Sequence, residues 1–229
     1  MDNHIKGEGN IFEELIREMN KIDSVEMQCV TCILKKYADV FSKHKNDIGY
    51  FEKLKHEIEV YKRRPIYARP YKIPNSIEEE VECKIAELVR NGILKECCSP
   101  WNFPLIPVRK KSGDIRLCVD YRRLNDITVK KVFPLPDHQQ IIDCLDGAKY
   151  FSTLDLSQGY YQIPLDERDQ MKSAFTTKSG QYCFTRTPFG LTNSPCTFQR
   201  ALNSVMRSIN RKKCVIFMDD ILVFGKTIE

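Results

Sequence analysis

The chain has 229 residues, 42% of them hydrophobic, which is ample for a sizeable core and fits one large or two interleaved compact units better than a row of small ones. Its 36 Lys and Arg against 31 Asp and Glu leave a net charge of +5, a balance that permits a nucleic-acid partner without demanding one. No apolar signal region opens the chain and no stretch approaches the ~20 apolar residues of a membrane span, so an intracellular protein with reduced thiols and no membrane partner is expected. The ten cysteines include Cys29 with Cys32 and Cys97 with Cys98, but neither pair has a second pair or a His at zinc spacing.

Asn10 as N-cap and Glu13 at the capping-box position predict a short helix over 10–20, with Ile11, Phe12, Leu15, Ile16 and Met19 as its apolar face. A second helix is expected from about Ser24, with Val30, Ile33, Leu34, Tyr37, Ala38 and Phe41 along one side. After a polar stretch through 46–49, Pro65, Pro70 and Pro74 keep the next segment extended, as a strap or linker. The strongest helical pattern starts at Ser76, which makes a capping box with Glu79; Ile77, Val81, Ile85, Leu88 and Val89 form its stripe and Gly92 ends it.

From Leu105 the period becomes that of strands, over 105–108 and 115–119, joined by the basic turn 109–114 (RKKSGD). Cations at such a tip suit the gripping of phosphates and suit a solvated turn as well. Ser194 as N-cap and Pro195 at N1 open another helix, with Phe198, Ala201, Leu202, Val205 and Met206 at helical spacing. Four basic residues between Arg207 and Lys213 are expected to close it and complement its dipole. Helices and strands that alternate irregularly, with antiparallel hairpins among them, indicate an α+β fold.

Asp219 and Asp220 stand between the apolar runs 214–218 (CVIFM) and 221–224 (ILVF), where a hairpin turn normally takes Gly or Asn. Like charges 4 Å apart repel by ~1 kcal/mol in water and ~4 kcal/mol at an effective dielectric of ~20, so the pair invites a cation. Asp155, at the end of the strand-like run in 151–156 (FSTLDL), supplies a third carboxylate. One Asp on a strand end and two on a hairpin suit two-metal phosphoryl transfer, although by themselves the two adjacent acids also fit a solvated turn.

The order of the motifs is more specific than any one of them. SPW at 99–101, CVDYRRLN at 118–125, DLSQGYYQI at 155–163, KSAF at 172–175, PFGL at 188–191, SPCTFQR at 194–200 and FMDDILVF at 217–224 together resemble the reverse transcriptase of gypsy-type long-terminal-repeat retrotransposons. The resemblance covers roughly residues 35–229, with 1–34 outside it. It implies a right-hand polymerase with an antiparallel palm sheet packed on helices: fingers at 56–129 and 163–193, palm at 130–162 and 194–229, and an N-terminal helical segment and linker at 1–55.

The implied activity is RNA-directed DNA polymerisation, a nucleotidyl transfer from a deoxynucleoside triphosphate (dNTP) to a primer 3′-hydroxyl on an RNA or DNA template. Asp155, Asp219 and Asp220 would hold two magnesium ions (Mg2+), with Asp155 and Asp219 as direct ligands of both and Asp220 acting less directly. Arg116 matches the fingers arginine that reaches the triphosphate, and Lys110 or Lys111 matches its neighbouring lysine. Tyr160 matches the aromatic steric gate against a 2′-hydroxyl, and Phe189 and Gly190 the floor of the sugar site. Met218 matches a residue at the primer end and is also a hairpin packing residue; Arg122 is expected on a primer-template phosphate. Tyr161, Thr187 and Phe217 depart from the His, Met and Tyr usual at those places, all with compatible shape. Because the chain stops at Glu229, just past the hairpin, a truncated piece of a polyprotein is expected, with thumb, connection and RNase H regions as partners. Two other readings compete: a non-catalytic remnant with weak nucleic-acid binding, and a two-metal nuclease, which would need neither the gate aromatic nor the triphosphate arginine.

Overall fold

The structure, a computed structural model, describes residues 13, 15–17, 24–44, 46–61, 64–110, 113–133, 137–217 and 220–227. The expected helix over 10–20, with its cap Asn10, lies mostly outside them. Helix α1 (Val25–Lys36) begins where Ser24, in extended backbone, accepts the Met27 N–H on its Oγ at 3.1 Å. Ile33 and Tyr37, expected on its apolar side, are exposed, whereas Thr31 is buried. A 3₁₀ turn (Ala38–Val40) follows; the strap beyond it makes only isolated bridges, and its proline-bearing part, 65–74, contains no helix or ladder strand, as its three prolines require.

Helix α2 (Asn75–Arg90) begins two residues earlier than a capping box at Ser76 indicates. Pro74 holds the N-cap position and its carbonyl accepts the Ile77 N–H at 3.1 Å, so Ser76 is already helical and makes no capping box with Glu79. The stripe is buried at Val81, Ile85 and Leu88. Its end is as expected: Gly92 takes φ +65°, Ile93 N–H reaches Leu88 O at 2.9 Å and Gly92 N–H reaches Val89 O at 3.0 Å.

Strands β1 (Leu94–Glu96), β2 (Leu105–Arg109) and β3 (Ile115–Val119) follow, then the short helices α3 (Arg122–Asn125) and α4 (His138–Cys144) and strand β4 (Tyr150–Asp155). Two 3₁₀ turns, Gly159–Gln162 and Gln170–Ser173, precede β5 (Phe175–Thr176), β6 (Gln181–Phe184), helix α5 (Ser194–Met206), β7 (Cys214–Phe217) and β8 (Asp220–Gly225). These strands form three antiparallel sheets, β1-β6-β5, β2-β3 and β4-β8-β7, and bear out the α+β class.

Helix α5 also departs from expectation at both ends. Its N-cap is Asn193; Ser194 is the first helical residue, and its Oγ donates to Pro188 O at 3.3 Å. The Asn193 amide is used to hold residues 129–131, accepting from Lys131 N at 3.0 Å and donating to Val129 O at 2.8 Å. At the other end Arg207 is the C-cap and residues 211–213 lie in the turn before β7, with Arg211 at φ +64°, so no base sits in the last turn.

The largest core lies around α2, β3 and β6, where Val81, Ile85, Leu88, Phe103, Leu117, Tyr121, Phe175 and Phe184 are buried together. A second region joins α5 to the β4-β8-β7 sheet, through Phe198 and Ala201 on Ile163 and through Leu202 and Met206 on Cys214, Ile216 and Ile221. The strap spans both regions. Phe51 N–H donates to Gln162 O and His56 N–H to Pro164 O, each at 2.8 Å, while Ala68 N–H donates to Asn102 O at 2.8 Å. All ten cysteines are free thiols. Among the described residues no helix is long and apolar enough to cross a membrane.

Candidate active site

Side chains alternate across a strand, so the register of the β4-β8-β7 sheet assigns its faces. Cys214, Ile216 and Ile221 face α5 and are buried. Asp155, Asp220 and Phe217 share the other face. Asp155 is the last residue of β4 and the direct partner of Asp220, the first residue of β8, which in turn pairs with Phe217 on its other side. Both carboxylates are exposed. Asp220 therefore belongs to a strand, where the sequence suggested a turn residue. Like charges directly opposite on two strands weaken the pairing unless a cation lies between them.

Asp219, Met218 and Lys111 lie outside the described residues. Among the described residues no group of three His, Cys, Asp or Glu side chains could hold a metal ion. Asp155 and Asp220 nevertheless fit a hard divalent cation, because they are oxygen donors, open to solvent and adjacent on one face.

A second group of expected residues is brought together around Phe189. The Arg116 guanidinium lies 5.1 Å from the centre of the Phe189 ring, which meets Tyr160 edge-on at 5.2 Å and Tyr161 at 5.4 Å. Arg116 reaches it because β3 alternates: Ile115, Leu117 and Val119 enter the core and Arg116 points away. Tyr160 rises from the 3₁₀ turn and also meets Phe198 of α5 at 5.2 Å. Tyr161 turns inward; burial pushes its hydroxyl pKa well above the tyrosine norm.

Two residues that support this cluster carried no functional expectation. At Gly159 a Cβ would come within 2.6 Å of the Phe198 ring, so only glycine lets the turn that carries Tyr160 approach α5 so closely. A glycine flanked by polar Gln158 and an aromatic pair is a sequence signal for such an approach. Asn125 holds the other side, donating to Gly190 O at 2.8 Å and accepting from Thr192 N at 2.9 Å. This clamps the loop that presents Phe189.

The remaining expected contacts sit apart in their bonding. At the β2-β3 tip, Lys110 is exposed; its backbone N–H donates to Asp114 O at 2.8 Å and its carbonyl accepts from Gly113 N at 3.0 Å. Arg109 braces the tip against α2 through Glu80 at 3.1 Å. Arg122 is paired with Asp120 through Nε at 2.8 Å and Nη2 at 2.6 Å, and the Tyr71 hydroxyl donates to the same carboxylate at 3.2 Å. Hydrogen bonding to Arg122 pulls Asp120 down to about 2.

Residues 108–229, more than half of the chain, match the reverse transcriptase (RNA-dependent DNA polymerase) family. The chain belongs to that family. Over 86% of its length it is 36% identical to the retrovirus-related Pol polyprotein from transposon 297 of Drosophila melanogaster, and over 89% it is 34% identical to that of transposon gypsy from the same fly. It spans 19% and 20% of those two polyproteins. The foamy viral protease-reverse transcriptase, solved in complex with an RNA/DNA hybrid, superposes with a TM-score of 0.82 at 28% identity, over 94% of this chain and 29% of that one. The fold is therefore that of reverse transcriptase fingers and palm, and membership implies dependence on a divalent metal.

Proposed function

We propose that this reverse transcriptase domain transfers a nucleotidyl group from a dNTP to a primer 3′-hydroxyl, copying an RNA or DNA template. The observation that carries the reading is the direct pairing of Asp155 with Asp220 at the strand ends. In the transfer, a bond forms between the primer 3′-oxygen and the α-phosphorus, the bond from that phosphorus to the β-bridging oxygen breaks, pyrophosphate leaves, and the hydroxyl proton passes to solvent. Two bound magnesium ions would neutralise the triphosphate charge and favour the ionised 3′-oxygen. Asp155 and Asp220, with Asp219, present the carboxylate oxygens that orient them. Arg116 neutralises the charge that gathers on the β- and γ-phosphates, its plane held by Phe189, and Lys110 or Lys111 adds a second cation at the tip. The Tyr160 ring occupies the volume that a ribose 2′-hydroxyl would need, on a floor of Phe189 and Gly190. Met218 touches the primer end and Arg122 a template phosphate.

On this reading residues 56–129 and 163–193 are fingers, and 130–162 and 194–229 palm. The relatives are polyproteins, which supports thumb, connection and RNase H segments as its partners. One reaction tests the whole reading: a labelled primer on a template, with dNTPs and Mg2+. Extension that falls by at least ~10² in rate in Asp155→Asn is expected, about 3 kcal/mol of lost transition-state stabilisation. Shortening of the labelled strand with no extension would make the domain a nuclease, and neither outcome would leave a non-catalytic remnant.

A further inference from the structure

The second half of the strap is basic without interruption by acids. Residues 61–72 (YKRRPIYARPYK) contain five Lys and Arg and no acid, which equals the net charge of +5 carried by all 229 residues. Three tyrosines alternate with those bases, and all three are exposed: Tyr61 by 72%, Tyr67 by 65% and Tyr71 by 51%. Ordinary packing does not explain this. Ile66 packs on the main core and Ala68 is buried, so the alternation of extended backbone turns Tyr67 and Arg69 outward between and beyond them.

The track is rigid. Tyr61 N–H donates to Ile127 O at 2.9 Å, Asn102 N–H donates to Ile66 O at 3.0 Å, and Asn102 Nδ2 donates to Ala68 O at 2.7 Å. Arg123 Nη1 reaches Tyr67 O at 3.4 Å. Among the described residues Arg64, Arg69 and Lys72 join no ion pair, and Asp120, the acid that meets the track at Tyr71, is neutralised by Arg122. Residues 64–72, nine in all, span at most roughly 32 Å when fully extended. That length suits several nucleotides of a single strand.

We propose that Tyr61 and residues 64–72 form a binding track for single-stranded nucleic acid, in which Tyr61 and Tyr67 stack on bases while Arg64 and Arg69 follow the phosphates. A base presents a π-face whatever its identity and its backbone is a polyanion, so rings alternating with cations recognise both without reading sequence. A duplex offers neither an open base face nor the flexibility to follow the strap. The track deepens the polymerase reading, on which it rests for the identity of the strand as unpaired template.

Fluorescence anisotropy without nucleotides tests it on the full chain, with three labelled probes: a 16-nucleotide oligothymidylate, a blunt duplex, and that duplex carrying a 12-nucleotide 5′ single-stranded extension. The extended duplex is expected to bind about tenfold or more tighter than the blunt one, the scale of base–aromatic stacking. Tyr61→Ala with Tyr67→Ala should abolish that preference, and Tyr61→Phe with Tyr67→Phe should keep it; matching thermal melts establish that both variants fold. Arg64→Gln with Arg69→Gln should reduce the log–log salt slope for the oligothymidylate by roughly 1.4, about 0.7 for each phosphate contact on a single strand. Equal binding of blunt and extended duplexes overturns the proposal. So does a pair of Tyr→Ala changes that leaves the preference intact, or that weakens heparin as much as the oligothymidylate, since heparin has charge but no bases. Primer extension by the same preparations separates the two readings: extension without preference for the overhang sinks the track alone, and preference without extension sinks the polymerase alone.

Discussion

Asp155 and Asp220 face each other across two strands, and each carboxylate raises the free energy of the other until a cation intervenes. Replacing one by Asn removes that repulsion. In metal-free buffer Asp220→Asn should therefore be more stable than the parent by a few tenths to ~1 kcal/mol, raising Tm by roughly 1–4 °C in a chain of this size. Adding Mg2+ should raise the melting temperature of the parent and leave the variant almost unmoved. Thermal melts in EDTA and in Mg2+ make the comparison, and identical shifts for both proteins would remove Asp220 from the metal site. Tyr160, edge-on to Phe189, is predicted to exclude ribonucleotides by bulk. Tyr160→Ala should raise ribonucleotide incorporation relative to deoxynucleotides, because a clash is removed and no contact is gained. Steady-state incorporation of both sugars by both proteins measures the ratio; an unchanged ratio would leave Tyr160 a packing residue.

At the scale of elements, the position of Tyr160 depends on how closely its 3₁₀ turn approaches α5. Gly159→Ala places a methyl 2.6 Å from Phe198 Cζ, inside a buried contact. Overpacking of this kind costs ~1–3 kcal/mol, and the strain is relieved by shifting either the Phe198 ring or the turn. A lower urea midpoint with an unchanged m-value is expected, together with part of the loss of sugar discrimination seen in Tyr160→Ala. Stability that falls with no change in discrimination would show that the Phe198 ring moves and the turn does not. The β2-β3 hairpin shows the same division of labour: one face of β3 fills the core and the other presents Arg116.

Across the whole molecule, the strap ties both core regions together, and His56 is its most buried polar link. His56 Nδ1 lies 2.8 Å from the Thr197 hydroxyl of α5. Burial, reinforced by the charge of Lys131, pushes its pKa from 6.5 to about 4. The folded state therefore refuses a proton that the unfolded chain accepts below pH 6.5. Stability is full above that pH, falls by up to ~1.4 kcal/mol per unit between 6.5 and 4, and falls no further below 4, a loss of about 3 kcal/mol in all. Asp120 and Asp166, held to about 2 by Arg122 and Arg168, contribute stability that is lost only as pH falls from about 4 towards 2, so the two windows are separable. Urea midpoints measured from pH 7 to pH 4 test this. In His56→Gln most of the slope should vanish, and a slope that persists would assign it to other groups.

The sequence by itself determined the elements whose causes are local. The apolar spacing of Val81, Ile85 and Leu88, the cap at Ser24, the stop at Gly92 and the strand periods around Arg116 and Asp155 all lie within a few residues of what they specify. The order of the motifs identified the family for the same reason: each motif is a short run whose chemistry travels with it. Local rules failed where a competing residue took the position. Pro74 displaced the expected cap at Ser76, and Asn193 displaced Ser194 because its amide also had to hold Val129 and Lys131. Tertiary structure alone decided that Asp155 pairs with Asp220, that Arg116, Phe189 and Tyr160 meet, and that His56 stays neutral against Thr197. Those contacts join residues some 30 to 140 positions apart, and their energies depend on register and burial, which no short stretch of sequence contains.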